Sequence, residues 1–297
     1  MIIYKNFNAL FDDPFNQYIF ANKLKLFLKP IIYDKHIIQH KDLQYSSIDI
    51  QYGSKNKAVV LFHGFGGNSS SNYCTYIANH LKKTNTTLII YNRRGHDLVC
   101  KQYPEHYIES DIVDVINYIK NLGYTDLYGI GVSLSTNIII KYASKHNTFK
   151  KLILLACPFD ISYCFERIKN DENVNTFLKM CSSDIANRCS IYLDQTLLDS
   201  CQTIQEQEGI LLGKSEKDMK QYYMDMNCLK ELKKINISIL IINSIDDPVL
   251  KIPIDKYKEY TSLNKNINII LTDKGSHCAW WNGEYMPNIF ITNFFEL

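Results

Sequence analysis

The chain has 297 residues, of which 46% are hydrophobic and 22% charged, with a formal net charge of +2. That is the length of one large α/β domain with an insertion, and it carries enough apolar material for a sizeable core. The near-balanced charge produces no single-sign field, so nothing points to a nucleic-acid partner.

Short apolar runs alternate with amphipathic stretches of about 10–15 residues, the rhythm of strands and crossover helices in a mostly parallel sheet. Ala58–Phe62 reads as a buried strand, Asn72–Lys83 as a helix and Thr87–Asn92 as a strand. Ser110–Leu122 reads as a helix, with Asp111 on the favourable side of its dipole and Ile112, Val115, Ile116 and Ile119 at helical spacing. Leu127–Val132 is a strand, Ser135–Lys145 a helix and Lys151–Cys157 a strand. Ile237–Asn243 and Asn268–Thr272 are two further strands, and Pro287–Phe295 is a terminal helix. Residues 158–234 break the rhythm. No strand pattern occurs there, and helical patterns around Thr176–Met180 and Ile185–Leu198 fill the gap. A gap of that length is rarely bare loop. The expected organisation is a single domain over residues 1–297 with a helical cap inserted at 158–234. Phe165, Phe177 and Leu178 are candidates to line its pocket. The first 40 residues, rich in Phe and Tyr, are expected to pack against the body.

Nine Cys without a CxxC pair indicate reduced thiols. The opening MIIYKNFNALFDDPF places acidic residues where a secretory signal needs an apolar run, and no stretch approaches the roughly 18 apolar residues of a spanning helix. These features lead us to expect a cytoplasmic protein whose membrane contact, if any, is peripheral.

Four segments carry chemistry. Gly131-Val132-Ser133-Leu134-Ser135 lies between a strand and a helix, where a nucleophile elbow of the form G-x-S-x-G would sit, with Ser135 at the last Gly. Small residues are needed there because strand and helix backbones approach closely. Ser135 is therefore read as a steric substitute, and its replacement by Gly is expected to keep or raise activity. The following helix aims its N-terminus at the site and makes the Leu134 N–H an anion donor. His63-Gly64-Phe65-Gly66-Gly67 follows a strand. Its glycines let a backbone N–H, that of Phe65, face the nucleophile and complete an oxyanion hole with Leu134. His63 reads as a structural residue orienting this loop. Asp246 and Asp247, before Pro248, place an acid past a strand end, and His277 lies on the loop after the final strand. The chain order Ser, Asp, His is that of a hydrolase triad, with Ser133 as nucleophile and His277 as base.

HGFGG, YNRRG at Tyr91–Gly95, GVSLS, QYYMD at Gln221–Asp225, IDDP and TDKGSH together resemble the YheT-like branch of α/β-hydrolases, which includes the abhydrolase-domain 1, 2 and 3 proteins. The resemblance covers roughly residues 58–283. It implies the α/β-hydrolase fold with an inserted helical cap, no cofactor, and a serine carboxylic-ester hydrolase acting on acyl esters or lipids. Its G-x-x-D-x-x-V register, laid on Asn243 and Val249, selects Asp246 as the triad acid. The chain departs from the family pattern at Ser135 and Ser276, where glycines are usual. The degenerate elbow is the one feature that favours the alternative, an inactive pseudo-hydrolase acting as a binding protein.

Overall fold

The apolar runs pair into one sheet in the computed structural model, which describes residues 1–24, 30–53, 56–189 and 194–297. In chain order the elements begin with β1 (Ile2–Lys5), α1 (Pro14–Leu24), β2 (Asp34–Gln39), β3 (Tyr45–Gln51) and β4 (Lys57–Phe62). Then come α2 (Asn72–Lys83), β5 (Thr87–Asn92), α3 (Glu109–Asn121), β6 (Asp126–Val132), α4 (Leu134–Ala143) and β7 (Phe149–Leu155). Six helices follow: α5 (Ile161–Ile168), α6 (Glu172–Ala186), α7 (Gln195–Ser200), α8 (Ile204–Leu212), α9 (Glu216–Met226) and α10 (Leu229–Leu232). The chain closes with β8 (Ser238–Ser244), α11 (Ile254–Ser262), β9 (Ile267–Thr272) and α12 (Pro287–Phe295).

The nine strands are ordered β1-β9-β8-β7-β6-β4-β5-β3-β2. The run from β1 to β5 is parallel, and β3 and β2 are added antiparallel at one edge. Strands covered on both faces read as continuous apolar runs, and Ala58 through Phe62 and Leu152 through Leu155 are fully buried. The edge strands escape that signature. In β3 the apolar Ile48 and Ile50 alternate with buried Ser47 and Asp49, and Asp49 accepts from Asn92 Nδ2 at 2.9 Å and from the Ser69 hydroxyl. The N-terminal segment packs through β1, which pairs in parallel with β9.

No strand of the sheet lies between β7 and β8 among the described residues. Helices α5 to α9 each begin at a side-chain cap, from Asp160, Asp171, Asp194, Thr203 and Ser215. Each such cap stabilises a helix start by about 1 kcal/mol. The helical pattern around Ile185–Leu198 falls on the end of α6 and the start of α7, and residues 190–193 lie outside the described residues. No described helix is long and apolar enough to cross a membrane.

Candidate active site

Four strand ends meet at one place. Ser133 directly follows β6, the segment 63–67 follows β4, Asp246 and Asp247 follow β8, and His277 follows β9. All four sit at the carboxyl ends of parallel strands, where open α/β sheets form their crevices.

Ser133 occupies a backbone conformation of φ 53° and ψ −126°, between the last β6 residue and the first turn of α4. A non-glycine residue held there costs about 1–3 kcal/mol. Surrounding bonds secure it: the Ser133 N–H donates to Leu155 O at 2.8 Å, and Thr136 N donates to Ser133 O at 2.9 Å. The turn is tight enough that a Cβ on Gly131 would lie 2.9 Å from Thr136 Cα. Glycine is therefore required at that position, and the strand enters the turn without side-chain bulk.

His277 is nearly buried, and its Nε2 lies 2.9 Å from Ser133 Oγ. Its Nδ1 lies 2.8 Å from Oδ2 and 3.1 Å from Oδ1 of Asp247. The structure thus corrects the choice of Asp246 as the acid facing His277. Asp246 instead accepts the Ser276 N–H at 2.8 Å and the Ser244 hydroxyl. The physical reason lies in the turn after β8, whose last residue is Ser244, one beyond Asn243. The Asp247 carboxylate folds back over the next turn, accepting from Val249 N at 2.8 Å and Leu250 N at 3.0 Å. That bond pattern orients it toward His277 and leaves Asp246 to hold the loop that carries His277. Burial raises the Asp246 carboxyl above its ordinary range, against the hydrogen bonds that lower it. Ser276, where glycine is usual, has φ 51°, a conformation that glycine adopts without strain.

The loop after β4 is held by its peptide planes. The His63 carbonyl accepts the Ser135 hydroxyl, and the Gly64 N–H donates to Tyr73 Oη at 2.9 Å. The Gly64 carbonyl accepts from His63 Nδ1 at 2.9 Å, Gly67 N at 3.2 Å and Arg93 Nη2 at 3.3 Å. In a trans peptide the N–H points opposite to the C=O, so this anchoring turns the Phe65 N–H away from those donors. Neither the Phe65 nor the Leu134 N–H donates to another group among the described residues. His63 is fully buried, and its Nε2 accepts the Arg93 N–H at 3.4 Å. Burial, reinforced by the Arg93 charge, pushes its imidazole down to about 3, so it is neutral and serves the loop. The steric reading of Ser135 is incomplete, since its fully buried hydroxyl is a hydrogen-bond donor.

Beside Ser133 lies a small cavity of about 60 Å³. Phe165 and Leu178 line it, as do Phe65 and Leu134. Phe177 does not line it, because its ring packs edge-on against Tyr18 with centroids 5.0 Å apart. Two polar side chains also line the cavity and were not apparent from sequence: His106, with Nε2 2.9 Å from Glu208 Oε1, and Glu208 itself. Glu208 also accepts from Tyr103 Oη at 2.9 Å and Tyr223 Oη at 2.6 Å. Burial alone would raise its carboxyl, but His106 and these hydroxyls outweigh burial and hold it below its ordinary value. No spacing signal links residues 106 and 208, although Tyr223 belongs to the QYYMD segment. The YNRRG segment places Arg93 on the Gly64 carbonyl and Arg94 on Asp111, with Nη2 to Oδ1 at 2.6 Å. Among the described residues no group of three or more His, Cys, Asp or Glu is placed to hold a metal ion.

The comparisons with known proteins agree with this fold. Residues 57–179 match the family model described as the alpha/beta hydrolase fold. A Pyrococcus furiosus esterase superposes with a TM-score of 0.59 at 14% identity, covering 89% of each chain. An esterase from Exiguobacterium antarcticum does so with 0.57 at 19% identity, over 88% of this chain and 99% of that one. This is an α/β-hydrolase fold. Within that fold the sequence likeness lies with the abhydrolase-domain group. Human phospholipase ABHD3 is 23% identical over 265 residues, which span 80% of this chain and 63% of the relative. Zebrafish monoacylglycerol lipase ABHD2 is 21% identical over 266 residues, 76% of this chain and 58% of the relative. The chain thus spans just under two thirds of the length of these curated relatives. The α/β-hydrolase reading made from HGFGG, GVSLS and TDKGSH holds at the level of the fold, and the sequence likeness lies with the group those segments resemble.

Proposed function

We propose that the chain is a serine hydrolase of carboxylic esters, with Ser133 as nucleophile, His277 as general base and Asp247 as the acid that orients it. The single observation that carries this reading is the series of contacts from Asp247 Oδ2 to His277 Nδ1 at 2.8 Å and from His277 Nε2 to Ser133 Oγ at 2.9 Å. A hydroxyl, an imidazole and a carboxylate in that series are the working parts of acyl transfer.

Ser133 Oγ attacks the ester carbonyl while His277 Nε2 takes its proton, and Asp247 stabilises the resulting imidazolium through the Nδ1–H. The tetrahedral oxygen, now negative, receives the Phe65 and Leu134 N–H groups. Collapse breaks the ester C–O bond, and His277 returns its proton to the departing alkoxide, leaving the acyl group on Ser133. Water then attacks the acyl-enzyme by the same path in reverse roles and releases the carboxylic acid. No cofactor enters this sequence.

Helices α5–α10 serve in this reading as a cap. They supply Phe165, Leu178 and Glu208 to the cavity beside Ser133, which receives part of the substrate. The relatives' names, phospholipase and monoacylglycerol lipase, favour a lipid or other acyl ester. A cytoplasmic protein meeting lipid at a membrane surface fits that substrate class. The test is a panel of p-nitrophenyl esters of increasing acyl length, run with the wild type and with Ser133→Ala. Hydrolysis by the wild type, with turnover lower by about 10⁶-fold in the folded variant, is the expected result. A wild type that hydrolyses no member of the panel counts against the ester class.

A further inference from the structure

Ser135 stands where the abhydrolase-domain pattern has glycine, and the structure gives its side chain a definite partner. The residue is fully buried in the first turn of α4. A serine in that position commonly turns its hydroxyl to its own helix or to solvent. Here the hydroxyl crosses 72 positions of sequence to the carbonyl of His63. No other donor reaches that carbonyl among the described residues.

The consequence follows from covalent geometry. The His63 carbonyl and the Gly64 N–H belong to one planar peptide. Ser135 holds the oxygen end of that plane, and Tyr73 Oη holds its N–H end at 2.9 Å. The next plane carries the Gly64 carbonyl, which is fixed by His63 Nδ1 and Arg93 Nη2, and the Phe65 N–H at its opposite edge. The rotation of the first plane sets the origin of the second. Leu134, the other oxyanion donor, precedes Ser135 directly. One hydrogen bond therefore ties the two halves of the oxyanion hole, the α4 turn and the loop after β4, at a set separation.

We propose, on the basis of the serine-hydrolase reading above, that Ser135 is a positioning residue that aligns the Phe65 N–H with the Leu134 N–H through the His63 carbonyl. A glycine at this position keeps the close approach of strand and helix but cannot make the tie. Oxyanion stabilisation depends on donors fixed in place before charge develops, so loosening the tie acts on the transition state and spares ground-state binding.

The test compares Ser135→Gly and Ser135→Ala with the wild type, all normalised to active sites by fluorophosphonate titration. Turnover of p-nitrophenyl acetate is expected to fall about tenfold or more in both variants, with KM within about twofold and the pH profile of turnover unchanged. The inhibition constant of an aliphatic trifluoromethyl ketone, whose tetrahedral adduct fills the oxyanion hole, is expected to rise in the same proportion. Amide hydrogen exchange over residues 62–71 is expected to quicken about fivefold or more, while exchange in β6 and β7 is unchanged. A merely structural role would lower the melting temperature without moving these quantities together. Unchanged exchange over residues 62–71 in the folded variants overturns the tie, and unchanged turnover and inhibition in an active wild-type background overturn its role in positioning. A wild type with no esterase activity would count against the hydrolase reading, and the exchange measurement would still decide the tie.

Discussion

Asp246 and Asp247 are adjacent in sequence but hold successive parts of one loop: Asp246 accepts the Ser276 N–H at 2.8 Å, and Asp247 lies 2.8 Å from His277 Nδ1. Asparagine can still accept from Ser276, but at position 247 it cannot supply the charge that stabilises a protonated His277. Asp247→Asn is therefore expected to lower turnover on the order of 10⁴-fold. Asp246→Asn should lower it by about tenfold at most, the scale of one hydrogen bond. Steady-state turnover of both variants on one p-nitrophenyl ester decides the matter, and the opposite ranking would return the role to Asp246.

His63 makes stability depend on pH in a definite window. Its imidazole is pushed down to about 3 in the folded state by burial and by the Arg93 charge, whereas an unfolded histidine titrates near 6.5. Between those values the unfolded chain binds a proton that the folded chain refuses. Stability contributed by the neutral ring is present above about pH 6.5 and is lost as pH falls toward 3, at up to about 1.4 kcal/mol per pH unit for this one group. His96, also buried and depressed, acts in the same direction. Urea unfolding midpoints from pH 7.5 to 4.5 should therefore decline, and His63→Gln should flatten the decline. An equal slope in the variant would mean that His63 is protonated in the fold.

Gly275 is another glycine that the geometry makes obligatory. Its φ is 142°, and a Cβ there would lie 2.1 Å from Trp280 Nε1. That indole is fully buried and donates to Thr272 Oγ1 at 2.9 Å. Gly275→Ala must displace either the indole or the loop that carries His277, and should cost about 3 kcal/mol or more. Gly283, at φ 115° with no atom within 4 Å of such a Cβ, is the control. Its alanine variant carries backbone strain alone, about 1 kcal/mol. Equal unfolding midpoints for the two variants would contradict the placement of Trp280.

The parts of this molecule that were legible in sequence are those whose burial is uniform. The bounds of α2, β5 and α12 coincide with the apolar runs and helical spacing that mark them. The strand β2 was not legible because it is largely exposed, and β3 was not because its buried side chains include Ser46, Ser47 and Asp49, which are satisfied by hydrogen bonds with His40, Asp97 and Asn92. The elbow and the His loop were legible because strained turns restrict residue type locally. The choice between Asp246 and Asp247 was not, since it depends on how the turn folds back onto Val249 and Leu250. The Ser135 hydroxyl and the His106–Glu208 pair are contacts between distant segments, and no local pattern encodes them.

Activation of Ser133 as a nucleophile by His277 is read out by intact-protein and peptide mass spectrometry after reaction with a fluorophosphonate. A single covalent adduct on Ser133 is expected in the wild type, with a labelling rate that falls by orders of magnitude in His277→Ala and no adduct in a folded Ser133→Ala protein. A wild type left unlabelled at Ser133, or near-wild-type ester hydrolysis by Ser133→Ala, would contradict a nucleophilic Ser133.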